Sequence, residues 1–479
     1  MSFEPLYPEP VPSPDAIVDV LVAAGIRYVF GLSGGHTGRI FGALEKRQDA
    51  IRTVLVREES LGAIMAETVG RMTGVPGVLL GQGPWILGNG LVGTIEAHLS
   101  ASPLLLMTDF TDTPPFSLHG PYQSGTGDYG GWDARQAFRG VAKEVFTADE
   151  PNPAVIATQL AIKHALAGQP GPVAVIYGAR ALDGLAGGGA LPRLYAAAPF
   201  VDLPKPGLPD LSGAITALKQ SRRPLVVAGN GVRLAGAEAA LARFAERWGA
   251  AVVTSPAGKG VFDEASPLSA GTYGGYGNPT AHRAVGEADL IVAAGTRLSA
   301  SDTVGADPAL IDPSRQTLIQ IEIEPRNLSW TMPVRHPLQG DAAAILAALA
   351  EAAPAERGEA GWLSPQAERT VAFPASTGDA GLHAPEIIAA MQATLPADSI
   401  FTCDAGENRI FMMHYFRARG VGRFSQPAGA GPMGYAIPSA IAQKLLNPDV
   451  PVVAVAGDGG FSMTMNGLLT AIEAAAPII

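Results

Sequence analysis

Short apolar runs of strand length, each followed by a helix-like segment, recur along almost the whole chain, and this alternation most restricts the fold. RYVFGLSGG, RTVLV, GVLLG, PLLLMTDF and GPVAVIYG mark strands in the first part. PLVVAGNGVRL, AAVVTS, ADLIVAAGTRLS and TLIQIEIEP follow in the middle, then SIFTCDAG and VPVVAVAGDGG. Apolar strands bounded by Gly and Pro and separated by helices predict parallel sheets with both faces covered. The expected fold class is α/β, with three doubly wound parallel-sheet domains at 1–185, 205–352 and 380–479. Gly- and Pro-rich passages from Asp183 to Asp210 and after Ala353 read as the linkers between them. Because Ala-Pro-Ile-Ile at the end looks like an apolar strand starting, the last domain is expected to be C-terminally incomplete.

Composition excludes several function classes. A net charge of −11 opposes binding to a phosphate backbone, so no nucleic-acid partner is expected. The sole cysteine, Cys403, permits no internal disulfide and no cysteine-rich metal site, which fits a reducing compartment. MSFEPLYPEPVPSPD is acidic and Pro-rich, unlike a signal peptide, and no uninterrupted apolar stretch reaches the roughly 18 residues of a membrane span. A cytoplasmic location without membrane contact is expected. The eight histidines lack zinc-ligand spacing, which leaves zinc chemistry without support.

Gly457-Asp458-Gly459-Gly460 ends the buried run VVAVA. Ligands of open parallel sheets sit outside the carboxyl ends of strands, and a lone aspartate in a glycine turn there can hold Mg²⁺ together with substrate phosphates. Phe461, Met465, Leu468 and Ile472 recur at helical spacing beyond it and predict a helix. Two further turns lie in the same domain: Gly429-Ala430-Gly431-Pro432-Met433-Gly434 and Asp404-Ala405-Gly406-Glu407-Asn408. Three glycine turns within one domain point to a diphosphate-binding cleft. In the first domain, Glu58 and Glu59 precede the helical pattern SLGAIMAETVGRMTG, and two carboxylates at a helix start are favoured by the dipole alone. A carboxylate there, if partly buried, also suits acid–base work. Gly229-Asn230-Gly231 follows a strand, but no acidic residue ends the next one, so it reads as a plain turn.

Together these motifs resemble the thiamine-diphosphate-dependent enzymes of the acetolactate synthase, pyruvate oxidase and 2-oxo acid decarboxylase type. The resemblance spans nearly the whole chain as pyrimidine-binding, central and diphosphate-binding domains. Gly457, Asp458 and Gly459 match the start of the magnesium and diphosphate motif. Arg57, Glu58 and Glu59, with Arg71 and Gly74, match the segment that carries the catalytic glutamate, and the register selects Glu59. Gly429, Gly431, Met433 and Gly434 match the loop whose large apolar residue props the cofactor, and Asp404, Gly406 and Asn408 match a turn near the diphosphate.

The resemblance implies thiamine diphosphate and Mg²⁺ as cofactors, with Asp458 as metal ligand and Gly406, Asn408, Gly431, Met433, Gly457, Gly459 and Gly460 on the cofactor. It implies that Glu59 shares a proton with the aminopyrimidine, that the resulting ylid attacks a 2-oxo acid carbonyl, and that decarboxylation or C–C bond formation follows. It also implies a homodimer or homotetramer with the active site between subunits. His36, Gln82 and Trp85 are substrate-side by analogy, and the bulky Trp85 in Gly81-Gln82-Gly83-Pro84-Trp85 stands where a small residue is usual, which points to an unusual substrate preference. The surroundings of Gly229–Gly231 match the family's flavin site poorly, so no FAD is expected. The family's second metal ligand, an asparagine beyond the next helix and strand, has no counterpart up to Ile479, since Asn466 is predicted to lie within the helix; either a further C-terminal segment supplies it, which is the expectation, or the protein does not build the usual metal site. The leading expectation is an acetolactate synthase-like carboligase or lyase. The alternative is a non-catalytic relative acting as a binding or scaffolding subunit, and an NAD- or FAD-linked oxidoreductase rests on Gly229 to Gly231 alone.

Overall fold

The computed structural model describes residues 5–354, 362–363 and 381–479. Most of the passage predicted as the second linker lies outside these residues. The chain divides into two compact units. The first comprises Met1–Pro204, Gly429–Pro448 and Phe461–Ile478, and the second Lys205–Ala428, Asp449–Gly460 and Ile479.

The first unit holds a six-stranded sheet in the order Arg52–Leu55, Tyr28–Gly31, Gly77–Leu80, Leu104–Asp109, Pro172–Tyr177, Glu144–Ala148, with every pair parallel. Strand alternation sends Val29, Val78, Leu105 and Val173 to one face, in a core shared with residues of helices Ser13–Ala23, Gly38–Glu45 and Pro151–Leu166. On helix Glu59–Thr73, residues Leu61 to Arg71 are all buried, and the helix packs against the helices Leu91–Ser100 and Ala436–Leu446. Helix and sheet approach so closely that a Cβ on Gly77 would sit 1.9 Å from the Ala66 carbonyl oxygen, which is why only glycine serves there.

The boundary between the two units, Pro204 to Lys205, falls inside the passage read as the first linker, but its earlier part, up to Ala197, packs on the first unit. Leu185–Ala186 pairs antiparallel with Val11–Pro12, and Leu194 and Ala197 are buried in the core of the first unit. The side-chain amide of Asn152 donates to the carbonyls of Ala190 (3.0 Å) and Pro192 (2.8 Å), and its oxygen accepts from Gly187 N–H (2.9 Å). One buried asparagine thus fixes an irregular segment that carries no hydrophobic period.

The second unit holds a six-stranded parallel sheet in the order Ser269–Thr272, Ala251–Thr254, Pro224–Ala228, Leu290–Ala294, Thr317–Glu322, His336–Gln339. The order reverses beside Pro224–Ala228, as in doubly wound folds. Gly229 and Gly231 lie at that reversal, where their Cβ atoms would fall 2.3 Å from the Gly295 oxygen and 2.6 Å from the Gly295 Cα. Contact between these two loops accounts for the glycines.

The third sheet is small, with Phe424–Ser425, Ile400–Cys403 and Val452–Val455 all parallel. Ile479 donates its N–H to Val452 and accepts from Ala454 N–H, at 2.9 and 2.8 Å. Burial pushes the Cys403 thiol up to about 12, so it is not a reactive thiolate. After Gly460 the predicted helix is two, Asp458–Thr464 and Gly467–Glu473. Asn466 is the N-cap of the second and so lies between helices rather than within one. Phe461, Met465, Leu468 and Ile472 keep their helical spacing only in part and are exposed. Among the described residues, no helix is long and apolar enough to cross a membrane.

Candidate active site

Glu59 opens helix Glu59–Thr73, while Glu58 is its extended N-cap residue. Glu59 is only 7% exposed, and the Asn89 side-chain amide donates to its Oε2 at 2.9 Å. Of the two adjacent carboxylates, Glu59 is therefore the one set into the protein and oriented by a neighbour. Asn89, just beyond helix Gly83–Gly88, went unrecognised in the sequence, where it looks like any polar residue after a helix.

Below Glu59 on the same helix lies a fully buried polar cluster. Arg71 stands 3.1 Å from Glu67 through Nε and donates to Glu96 at 3.1 Å through a terminal nitrogen. Glu67 also accepts from Ser102 (2.7 Å) and from the Tyr435 hydroxyl (3.0 Å). Burial raises the proton affinity of Glu67 more than Arg71 lowers it, and neighbouring Glu96 adds to the rise. Burial alone would raise Glu96 too. Arg71, the Gly429 amide, the Ser100 hydroxyl and the Gly431 amide overcome that and hold it below the usual carboxylate range.

The two signs are opposite. A depressed Glu96 contributes stability above its unfolded titration range that is lost as acid protonates it. A raised Glu67 contributes stability present below its unfolded value, about 4.3, and lost as the pH rises through the folded value. Glu67→Gln is accordingly expected to flatten the fall of the thermal midpoint as the pH rises above the usual carboxylate range, read from melts across pH. An unchanged slope would show that Glu67 does not carry that loss.

Glu96 reaches the predicted cofactor loop. Its Oε1 accepts from Gly429 N–H (2.9 Å), and its Oε2 accepts from Ala430 N–H (2.8 Å) and Gly431 N–H (3.1 Å). Gly431 and Gly434 have φ of +68° and +81°, a region costly for other residues, and Met433 stands 45% exposed beyond them. Glu96 is the one charged residue of LVGTIEAHLS apart from a histidine, and a lone charge in an apolar helix was the signal available.

The substrate-side residues of the sequence are joined by another unrecognised carboxylate. Asp109, fully buried at the end of strand Leu104–Asp109, accepts from His36 N–H (2.6 Å) and Gly83 N–H (3.2 Å). It thereby ties the His36 turn to the Gln82–Trp85 loop. Gln82 donates to Gln123 at 2.6 Å, Trp85 is 46% exposed, and His36 Nδ1 is buried without a hydrogen-bond partner among the described residues. An acid ending an otherwise apolar strand is where a parallel sheet carries its ligand-side groups.

In the second unit, strands Ile400–Cys403 and Val452–Val455 are neighbours, so the turns beyond them leave the same edge of one sheet. The Asn408 amide bridges them, donating to the Asp404 carbonyl (3.1 Å) and the Val455 carbonyl (3.2 Å). Gly406 has φ +111°, which glycine tolerates, and starts helix Glu407–Tyr415. Gly457, Gly459 and Gly460 surround the exposed side chain of Asp458. Among the described residues, no group of three His, Cys, Asp or Glu side chains could hold a metal. A single carboxylate completed by phosphate oxygens is nevertheless an ordinary Mg²⁺ environment, so the donor set fits a metal held jointly with a diphosphate.

Comparison with known proteins finds matches to all three parts of the chain. Models for the N-terminal TPP-binding, central and C-terminal TPP-binding domains of thiamine pyrophosphate enzymes match residues 14–124, 211–349 and 404–479. A probable acetolactate synthase large subunit of Methanocaldococcus jannaschii is 30% identical over 97% of this chain and 78% of its own. A probable 2-ketoarginine decarboxylase of Pseudomonas aeruginosa is 30% identical over 96% of this chain and 79% of its own. A sulfoacetaldehyde acetyltransferase of Alcaligenes xylosoxydans is 26% identical, over 97% and 79%. With all three domain models in order and similarity along its whole length, the chain belongs to the thiamine pyrophosphate enzymes, a catalytic family.

Proposed function

We propose that this protein is a thiamine-diphosphate- and Mg²⁺-dependent carboligase or lyase acting on 2-oxo acids, of the acetolactate synthase type. The observation that carries the reading is the buried carboxylate of Glu59, held by Asn89 at the start of a helix. Asp458 is the Mg²⁺ ligand, with Gly406, Asn408, Gly457, Gly459 and Gly460 around the diphosphate and Gly431 and Met433 against the rings. When bound, thiamine diphosphate supplies the nucleophilic carbon and the electron sink for loss of CO₂. Glu59 holds and returns the proton that the aminopyrimidine needs, which is the task of a carboxylate shielded from water. Asp109 keeps the His36 and Gln82–Trp85 loops together as walls for the 2-oxo acid. The working form is a cytoplasmic homodimer or homotetramer whose sites lie between subunits, as the low charged fraction of 16% allows for large buried interfaces.

The relatives named above include a synthase, a decarboxylase and an acetyltransferase, so the outcome after CO₂ loss is tested by product analysis. Pyruvate and longer 2-oxo acids are supplied singly and in pairs, and CO₂ and the carbon products are measured. Hydroxy-oxo acid formed from two 2-oxo acids supports the carboligase, aldehyde alone selects the lyase, and no turnover by a cofactor-loaded protein favours the scaffolding alternative. Asp458→Ala is expected to weaken Mg²⁺-dependent cofactor binding at least tenfold, read by titration with and without the metal. Wild-type affinity in that variant would remove Asp458 from the metal site.

A further inference from the structure

We infer that Glu96 is a positioning residue: its carboxylate fills the nest made by the amides of Gly429, Ala430 and Gly431 and thereby sets where Met433 stands. The inference rests on the reading of this loop as the cofactor prop.

Three consecutive backbone N–H groups converging on one point form an anion-binding concavity. In a protein built around a diphosphate, such a concavity would ordinarily take phosphate. Here the protein's own carboxylate occupies it, with contacts of 2.9, 2.8 and 3.1 Å. The loop therefore serves the cofactor through its shape and through Met433 rather than by donating these amides. A second contact holds it independently of charge. A Cβ on Gly429 would lie 2.7 Å from Leu99 Cβ, 2.8 Å from Ser100 Oγ and 3.0 Å from the Glu96 carbonyl oxygen, so only glycine lets the loop lie against helix Leu91–Ser100. Behind the nest, Ser100 (2.7 Å) and Arg71 (3.1 Å) hold the same carboxylate, and Arg71 belongs to the helix that opens with Glu59. All of these groups lie in the first unit. The charge-assisted bonds are the strong kind, and the Glu96 carboxylate that accepts them is fully buried, so the loop enters catalysis already placed.

The test uses the full-length protein, wild type beside Glu96→Gln and Gly429→Ala. Glutamine keeps the volume but turns an NH₂ toward amide donors. Alanine at 429 leaves every buried charge in place and carries the test alone if Glu96→Gln does not fold. Amide hydrogen exchange across 429–431 is measured without cofactor, and thiamine diphosphate affinity is measured with Mg²⁺. Both variants are expected to melt cooperatively, to exchange these amides at least tenfold faster, and to bind the cofactor about ten- to hundredfold more weakly, the scale of a displacement near 1 Å. Slow exchange and wild-type affinity in Glu96→Gln would overturn the inference. A wild type that protects these amides but binds no thiamine diphosphate would instead overturn the functional reading, leaving the nest itself intact.

Discussion

Replacing Glu59 by glutamine is expected to leave cofactor binding within about twofold while CO₂ release from 2-oxo acids falls by roughly 10²- to 10⁴-fold, the span attributed to a positioned acid–base group. Glutamine occupies the same volume, and its Oε1 still accepts the Asn89 amide proton that Glu59 Oε2 receives at 2.9 Å. The helix start keeps its packing because Glu59 contributes there as a buried side chain, not as a surface charge. Only the ability to hold and return a proton is lost. Glu59→Asp withdraws the carboxyl by one methylene and is expected to fall between wild type and Glu59→Gln. Single-turnover CO₂ release on loaded enzyme separates the proton step from binding. Undiminished release from Glu59→Gln would move the acid–base role elsewhere.

The largest loss of stability is expected from Arg71→Met. This guanidinium is 2% exposed and stands between Glu67 and Glu96, both fully buried. Methionine matches much of its volume but leaves two buried carboxylates facing each other without a cation. Removing one partner of a buried ionic group costs about 3–5 kcal/mol, a large part of the roughly 5–15 kcal/mol that holds a domain together. The effect should appear in urea unfolding as a lower midpoint at an unchanged slope. Combining Arg71→Met with Glu67→Gln should recover part of the loss, since one of the stranded charges is then removed. A loss below about 1 kcal/mol would place this cluster among ion pairs of little net worth.

How far the sequence could be read follows from what each feature depends on. Strand and helix alternation is local and periodic, so all three parallel sheets were legible in runs such as PLLLMTDF, PLVVAGNGVRL and VPVVAVAGDGG. The glycine turns were legible because positive φ and close approach narrow the residue choice, as at Gly406, Gly431 and Gly434. The packing of residues 185–197 on the first unit was not legible, because it is held through Asn152, a residue more than thirty positions away. Beyond Gly460, apolar residues at helical spacing run across the break at Asn466 and concealed it. Glu96, Asn89 and Asp109 escaped notice for one shared reason. Each acts by hydrogen bonds to groups brought near only by the fold, and none sits in a motif of fixed spacing.

The most direct measurement is a calorimetric titration of thiamine diphosphate into protein produced from its natural reading frame, with and without Mg²⁺, beside Glu59→Gln. Metal-dependent, saturable binding by both proteins, with CO₂ release from 2-oxo acids confined to the wild type, is the expected result. Absence of binding by the wild type in the presence of Mg²⁺ would contradict the assignment of cofactor chemistry to this protein.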